Sequence, residues 1–245
     1  MAFPQSATPE DYLAFDAAAV RRRKPIDRVE IDAYLKSIEV HPYYAKMATV
    51  KDISMLHVDV LMLLRLFARA TRGGILEIGP YIGGSSIGIG SGVRDGGGRP
   101  YASVEHGGVE EEIGGTYRDH PFYPSSNIID DLKKNLAAEG LGSFVSIFPG
   151  KSDTPSVVEK VFELFRGSPI ELLFIDADGA VDRDMELYRP LIAKNCLLVF
   201  DDYTAPGAEE KEQRVRRVVD EEVARGRLES YGVYGWGTWI GRYRG

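Results

Sequence analysis

Short apolar runs alternate with stretches of helical periodicity along most of this chain, and that alternation restricts its fold more than any other feature. "GILEIG" (74–79), "PYASVEH" (100–106), "FVSIFPG" (144–150), "IELLFIDAD" (170–178) and "CLLVFDDY" (196–203) read as strands. Helical patterns cover 127–139, 154–166, 181–193 and 207–226. Strand, helix, strand repeated in this way predicts an α/β chain with a doubly wound, mostly parallel sheet. The closing pair "LESYGVYG" (228–235) and "TWIGRYR" (238–244) turns at 235–237, so the last strand is expected to enter as an antiparallel hairpin strand. Apolar residues at helical spacing fill 54–71, with Ser54 as a candidate N-cap. The division that follows is a helical N-terminal segment, 1–53, ahead of one α/β domain, 54–245.

Composition narrows the partners. A formal charge of −7 argues against a general electrostatic attraction to nucleic acid or to an anionic membrane. No apolar run approaches the roughly 18 residues of a membrane span, and the start, "MAFPQSATPEDYLAFD", lacks the basic-then-apolar pattern of a secretion signal. The single cysteine, Cys196, excludes an internal disulfide. The expectation is a cytoplasmic protein with a small-molecule partner, self-association being left open. The basic cluster Arg21, Arg22, Arg23 and Lys24 reads as a solvated face.

In a doubly wound sheet, ligands lie outside the carboxyl ends of the strands, where strand order reverses. Those ends are acidic here: Glu77, Glu105, Asp176, Asp178, Asp201 and Asp202. After the first strand comes "GPYIGGSS", in which Gly79, Gly83 and Gly84 allow a tight turn and a close backbone approach. Tyr81 stands where a dinucleotide fingerprint needs its second glycine, which disfavours NAD or FAD. A carboxylate at Glu77 suits an amine-bearing ligand, and Glu105 stands where an acid accepts hydrogen bonds from ribose hydroxyls. A ribose, an ammonium and no phosphate describe S-adenosylmethionine.

"ILEIGPYIGGSS", "YASVEHGG", "IFPGKSDT" and "LLFIDADGAVDRDMELYRPLIAKNCLLVFDDY", in that order, resemble the class I S-adenosylmethionine-dependent methyltransferases. The chain is most similar to their O-methyltransferase branch, which holds catechol and caffeoyl-CoA methyltransferases and the family 24 enzymes. The resemblance spans roughly 54–243 and implies a Rossmann-like fold. It places Glu77, Gly79, Gly83 and Ser85 at the methionine and ribose end, Glu105 on the ribose hydroxyls, and Ser152 with Asp153 beside the adenine; an N-cap pair is the structural alternative for those last two. Tyr81, His106 and Asp176 complete the expected cofactor-contacting set.

Asp176 ends the fourth strand, and Asp201 and Asp202 end the fifth, so three carboxylates are expected to converge. Like charges at close range repel, and a divalent cation relieves that; an all-oxygen set suits Mg²⁺, or Ca²⁺ or Mn²⁺, rather than zinc. Metal-dependent members of the branch carry acids at these positions. The alternative is that the acids bond loop backbone in a metal-free relative. Catechol-type members place a lysine three residues after the first metal aspartate, as general base; this chain has Gly179 there, which argues against a catechol acceptor. His120, in the long 107–127 stretch expected to act as a lid or substrate wall, is the candidate replacement. His57 reads as packing, and Trp236 and Trp239 as core or interface residues. The reading is methyl transfer from S-adenosylmethionine to an oxygen of a small molecule, with a divalent ion assisting. Its rivals are a metal-independent N- or C-methyltransferase on the same fold, an NAD-dependent oxidoreductase, and a non-catalytic binding protein.

Overall fold

The computed structural model describes residues 7–21, 24–50, 53–107, 127–204 and 210–245. Five parallel strands, β1 (Gly74–Ile78), β2 (Tyr101–Glu105), β3 (Ser146–Pro149), β4 (Ile170–Ile175) and β5 (Ile192–Phe200), are joined by the hairpin β6 (Leu228–Tyr234) and β7 (Thr238–Tyr243). The sheet order is β3-β2-β1-β4-β5-β7-β6, and β7 runs antiparallel to both neighbours. The chain winds outward from β1 to β3, then returns to β4 and winds the other way. Strand order therefore reverses between β1 and β4, which opens a crevice at their carboxyl ends.

Alternation along each strand divides the core in two. Ile75, Tyr101, Leu172, Phe174 and Val199 face one layer, while Leu76, Ala102, Leu173, Ile175 and Leu198 face the other. The first layer holds α4 (Val58–Ala70), α5 (Gly84–Asp95) and α6 (Ile128–Ala138); the second holds α7 (Pro155–Leu164), α8 (Val181–Tyr188) and α9 (Glu210–Ala224). α4 is buried from Val60 through Ala68, because the N-terminal helices α1 (Pro9–Arg21), α2 (Arg28–Leu35) and α3 (Tyr44–Val50) cover its outer side. Tyr12, Phe15, Ile31, Tyr34 and Met47 join the same apolar cluster.

Buried charge ties this N-terminal layer down. Arg65 of α4 donates to Asp16 of α1 at 2.5 Å and to Asp95 of α5 at 2.9 Å, and its guanidinium lies 3.9 Å from the centre of the Tyr43 ring. His41 approaches the same Asp16 carboxylate at 3.4 Å. Burial alone would raise the Asp16 pKa, but His41 and Arg65 outweigh it and hold the carboxyl below its usual value. The last hairpin also reaches back to the first helices: Tyr234 donates to Asp32 at 3.0 Å and Arg242 to the Ile26 carbonyl at 3.3 Å.

Several expected boundaries move. α4 starts at Val58 rather than after Ser54, with His57 as N-cap accepting from the Asp59 N–H; Ser54 is buried and accepts from Leu56 in a turn of its own. The helix expected over 181–193 ends at Tyr188, where a 3₁₀ turn (Arg189–Leu191) with Pro190 follows. β5 begins at Ile192, earlier than "CLLVFDDY", and its pairing with β4 is irregular before Leu197, near the left-handed Asn195. Among the described residues no helix is long and apolar enough to cross a membrane. Cys196 is a free, buried thiol.

Candidate active site

Strand register assembles the site. Ile78 of β1 pairs with Val104 and Ile175, Ile175 pairs with Phe200, and Phe200 pairs with Trp239. One step further along, Glu105, Gly79, Asp176, Asp201 and Thr238 fall in a single row across the carboxyl edge. Backbone bonds hold that row: Gly79 N–H donates to the Val104 carbonyl, Asp176 N–H to Ile78 and Asp201 N–H to Ile175. Gly79 has φ +85°, and a Cβ there would fall 1.8 Å from the Asp176 carbonyl oxygen, so only glycine lets β1 and β4 meet at this height.

Glu105 anchors the glycine turn. One carboxylate oxygen accepts the Tyr81 N–H at 2.8 Å and the other the Gly107 N–H at 2.9 Å. Tyr81 is held at φ +53°, a left-handed conformation that a side chain seldom takes. Burial raises the Glu105 pKa, against the two backbone bonds that lower it. Each oxygen keeps a lone pair for a further donor. The turn ends at Gly83, the N-cap of α5, whose first N–H groups lack partners within the helix.

Glu77 departs from the amine-facing role expected for it. Its carboxylate is completely buried and accepts four hydroxyls: Ser85 at 2.6 Å, Ser86 at 2.5 Å, Tyr101 at 2.5 Å and Ser103 at 2.7 Å. Burial lifts its pKa, with the hydroxyls opposing. Both oxygens are used, so Glu77 fastens α5 to β1 and β2 from beneath the turn, and the Ser85 hydroxyl is consumed in the same knot. Ser103 of β2 lies level with Glu77, and Tyr101 stands two residues before it on the same face.

Asp176, Asp201 and Asp202 do converge: one oxygen from each lies within 4.8 Å of the others. An acidic all-oxygen set of this kind fits a hard divalent cation. Lys211, from the first turn of α9, already stands among them, 3.3 Å from Asp176 and in close ion-pair contact with Asp202. Sequence reasoning missed this residue. Burial alone would lower the Lys211 pKa, but Asp176 and Asp202 outweigh it and push it upward. Asp201 is held from the other side by the Thr238 hydroxyl at 2.5 Å, and burial, reinforced by the Asp176 charge, raises its pKa to about 7. Burial also raises Asp176, with Lys211 opposing. A cavity of about 690 Å³ bordered by Glu159, Phe162, Arg166 and Pro190 lies at the amino ends of the strands, away from this chemistry.

The family profile described as "Methyltransferase domain" (family 24) matches residues 76–203, more than half of the chain and the whole strand-end row except Thr238. The chain belongs to this methyltransferase family. No curated protein matches it. Among solved structures, the O-methyltransferase TomG of Streptomyces achromogenes, in complex with S-adenosylmethionine, is 17% identical with a TM-score of 0.58, covering 98% of this chain and 100% of its own. An O-methyltransferase from Bacillus cereus, in complex with S-adenosylhomocysteine, is 18% identical with a TM-score of 0.56, covering 97% and 100%. A methyltransferase from Geobacter sulfurreducens is 19% identical with a TM-score of 0.53, covering 87% and 96%. These likenesses describe a shared fold.

The remaining expected positions are scattered around this methyltransferase crevice. Ser152 is buried, donating to Asp184 at 2.7 Å and accepting from Arg183 at 3.0 Å, so its hydroxyl serves the contact with α8. Asp153 is exposed, 3.9 Å from Arg183. Neither caps α7, whose N-cap is Thr154. His106 is exposed beside Glu105. His120 and the other 108–126 residues of the expected lid lie outside the described residues, as do Arg22 and Arg23. Trp239 is core, stacked on Phe200, whereas Trp236 is 68% exposed at the hairpin tip, edge-on to His57.

Proposed function

We infer that this methyltransferase moves the methyl group of S-adenosylmethionine to an oxygen of a small molecule, with the cofactor over β1 and β2 and the acceptor over β4 and β5. One observation carries the reading: Glu105, pinned by Tyr81 and Gly107, keeps a lone pair on each oxygen at the height of the glycine turn. That arrangement suits the two hydroxyls of a ribose. TomG and the Bacillus cereus protein, named as O-methyltransferases, support oxygen as the acceptor atom.

In this mechanism Gly79 and Gly83 let the backbone follow the methionine chain, and the start of α5 faces its carboxylate. Ser152 and Asp153 border the adenine through the 150–154 turn. Glu77 keeps the turn in place without touching the ligand. Fixing donor and acceptor in line removes most of the entropy cost of a bimolecular step. Asp176, Asp201 and Asp202 would hold a hard divalent ion such as Mg²⁺. When bound, it would grip acceptor oxygens and make a hydroxyl more acidic. Lys211 is protonated between its two carboxylates and takes no proton in this arrangement. That same ion pair favours a second reading, methyl transfer without metal.

Calorimetry tests the cofactor assignment: S-adenosylhomocysteine should bind saturably and NAD should not. Incubation with methyl-deuterated S-adenosylmethionine and a panel of hydroxylated small molecules should place the label on oxygen. Saturable NAD binding without S-adenosylhomocysteine binding would overturn the reading, and label on nitrogen or carbon would move the chain to another acceptor class.

A further inference from the structure

Two observations on separate segments meet at the acid cluster. The first is the position of the Lys211 ammonium, between Asp176 and Asp202 and shared by both. The Lys211 side chain is about one-third exposed and the two aspartates less than that, so water screens these pairs only in part. The second is Gly179, three residues after Asp176. It has φ +76°, and a Cβ there would fall 2.9 Å from the Lys211 carbonyl oxygen and 3.0 Å from its Cγ. Any side chain at 179 would push the first turn of α9 outward. Gly179 thus leaves the room through which a lysine from another helix reaches the carboxylates.

We propose that Lys211 is the resident cation of the Asp176–Asp201–Asp202 cluster, and that a divalent ion enters only by displacing its ammonium. This rests on the functional reading above and goes beyond it by naming the residue that sets how strongly the cluster takes metal. The ammonium satisfies Asp176 and Asp202 from within the chain, while the Thr238 hydroxyl satisfies Asp201. A divalent ion would draw on the same two carboxylates, and two cations that close repel, so occupancy by one opposes the other. The wild-type chain is accordingly a weak binder of divalent ions, although its donor set suits them.

The test is Mn²⁺ binding, by calorimetry and by the loss of free-ion electron paramagnetic resonance signal, to the full chain and to Lys211→Gln. Glutamine keeps most of the side-chain length without the charge. Mn²⁺ should bind the variant at least about tenfold more tightly than the wild type, because competition by a bound cation has been removed. Equal or weaker binding by the variant, or no binding by either protein, overturns the proposal. If Lys211→Gln fails to fold, refolding with Mn²⁺ or with EDTA reads the same exchange: recovery with Mn²⁺ alone supports it, and failure in both makes Lys211 a fixed structural tie. S-adenosylhomocysteine binding is measured on the same samples. Its absence from the wild type would refute the functional reading, whereas equal Mn²⁺ affinities with intact S-adenosylhomocysteine binding would refute the cation exchange alone.

Discussion

Replacing Glu105 by glutamine separates the anchoring of the glycine turn from recognition of the ligand. In the wild type both carboxylate oxygens accept a backbone N–H, from Tyr81 and from Gly107. A glutamine oxygen can replace one acceptor, but its amide NH₂ then faces the other N–H, donor against donor. Glu105 is 8% exposed, so water cannot readily fill the gap. Losing one hydrogen bond to a charged acceptor costs about 1.5–3 kcal/mol. In a chain of this length that lowers Tm by roughly 4–10 °C. Half of the hydroxyl-accepting capacity is lost as well, so S-adenosylhomocysteine should bind roughly 10–100-fold more weakly, at about 1.4 kcal/mol per tenfold. Differential scanning fluorimetry reads the first effect and calorimetry the second. A lowered Tm with unchanged S-adenosylhomocysteine affinity would make Glu105 a turn anchor only and refute its place in ribose recognition.

Three further outcomes follow from the same geometry. Gly79→Ala should cost about 2–4 kcal/mol in chemical denaturation and weaken S-adenosylhomocysteine binding, since it combines a left-handed backbone with a Cβ aimed at the Asp176 carbonyl; a stability within 0.5 kcal/mol of wild type, roughly the scatter of a neutral surface change, would contradict the close approach. Asp201, raised from 3.8 to about 7, contributes stability below pH 4 that is lost as pH rises toward 7, so in EDTA the Tm should fall over that interval and Asp201→Asn should flatten the slope; parallel Tm profiles would refute the raised value. Asp16→Asn leaves Arg65 buried with Asp95 as its remaining charged partner and should destabilise the chain by about 3 kcal/mol in urea titration, with S-adenosylhomocysteine still bound at saturating concentration; no loss of stability would mean that the Asp16–Arg65 pair does not hold α1 in place.

The parallel strands, their acids and the hairpin were legible because apolar alternation sets register, and register alone brings Asp176 and Asp201 side by side. β5 was read too short, since its first residues are partly exposed and polar around Asn195. Glu77 was placed at a strand end, but the four hydroxyls that close over it come from β2 and α5, and only pairing shows that Ser103 lies level with it. Lys211 was invisible for a different reason. Nothing in "EEKEQRVRRVVDEEVAR" distinguishes one lysine of a polar helix, and its meaning depends on how α9 docks over Gly179. The bonding of the Ser152 hydroxyl to α8 was hidden because its partners, Arg183 and Asp184, stand about thirty residues away.

The stitches from Tyr234 to Asp32 and from Arg242 to the Ile26 carbonyl join the first fifty residues to the last fifteen. The N-terminal helices are synthesised some two hundred residues ahead of these partners, with the whole parallel sheet made in between. Two bonds of the N-terminal layer therefore form only once the hairpin has been made. Loss of the hairpin removes two bonds from a layer some two hundred residues earlier in the sequence.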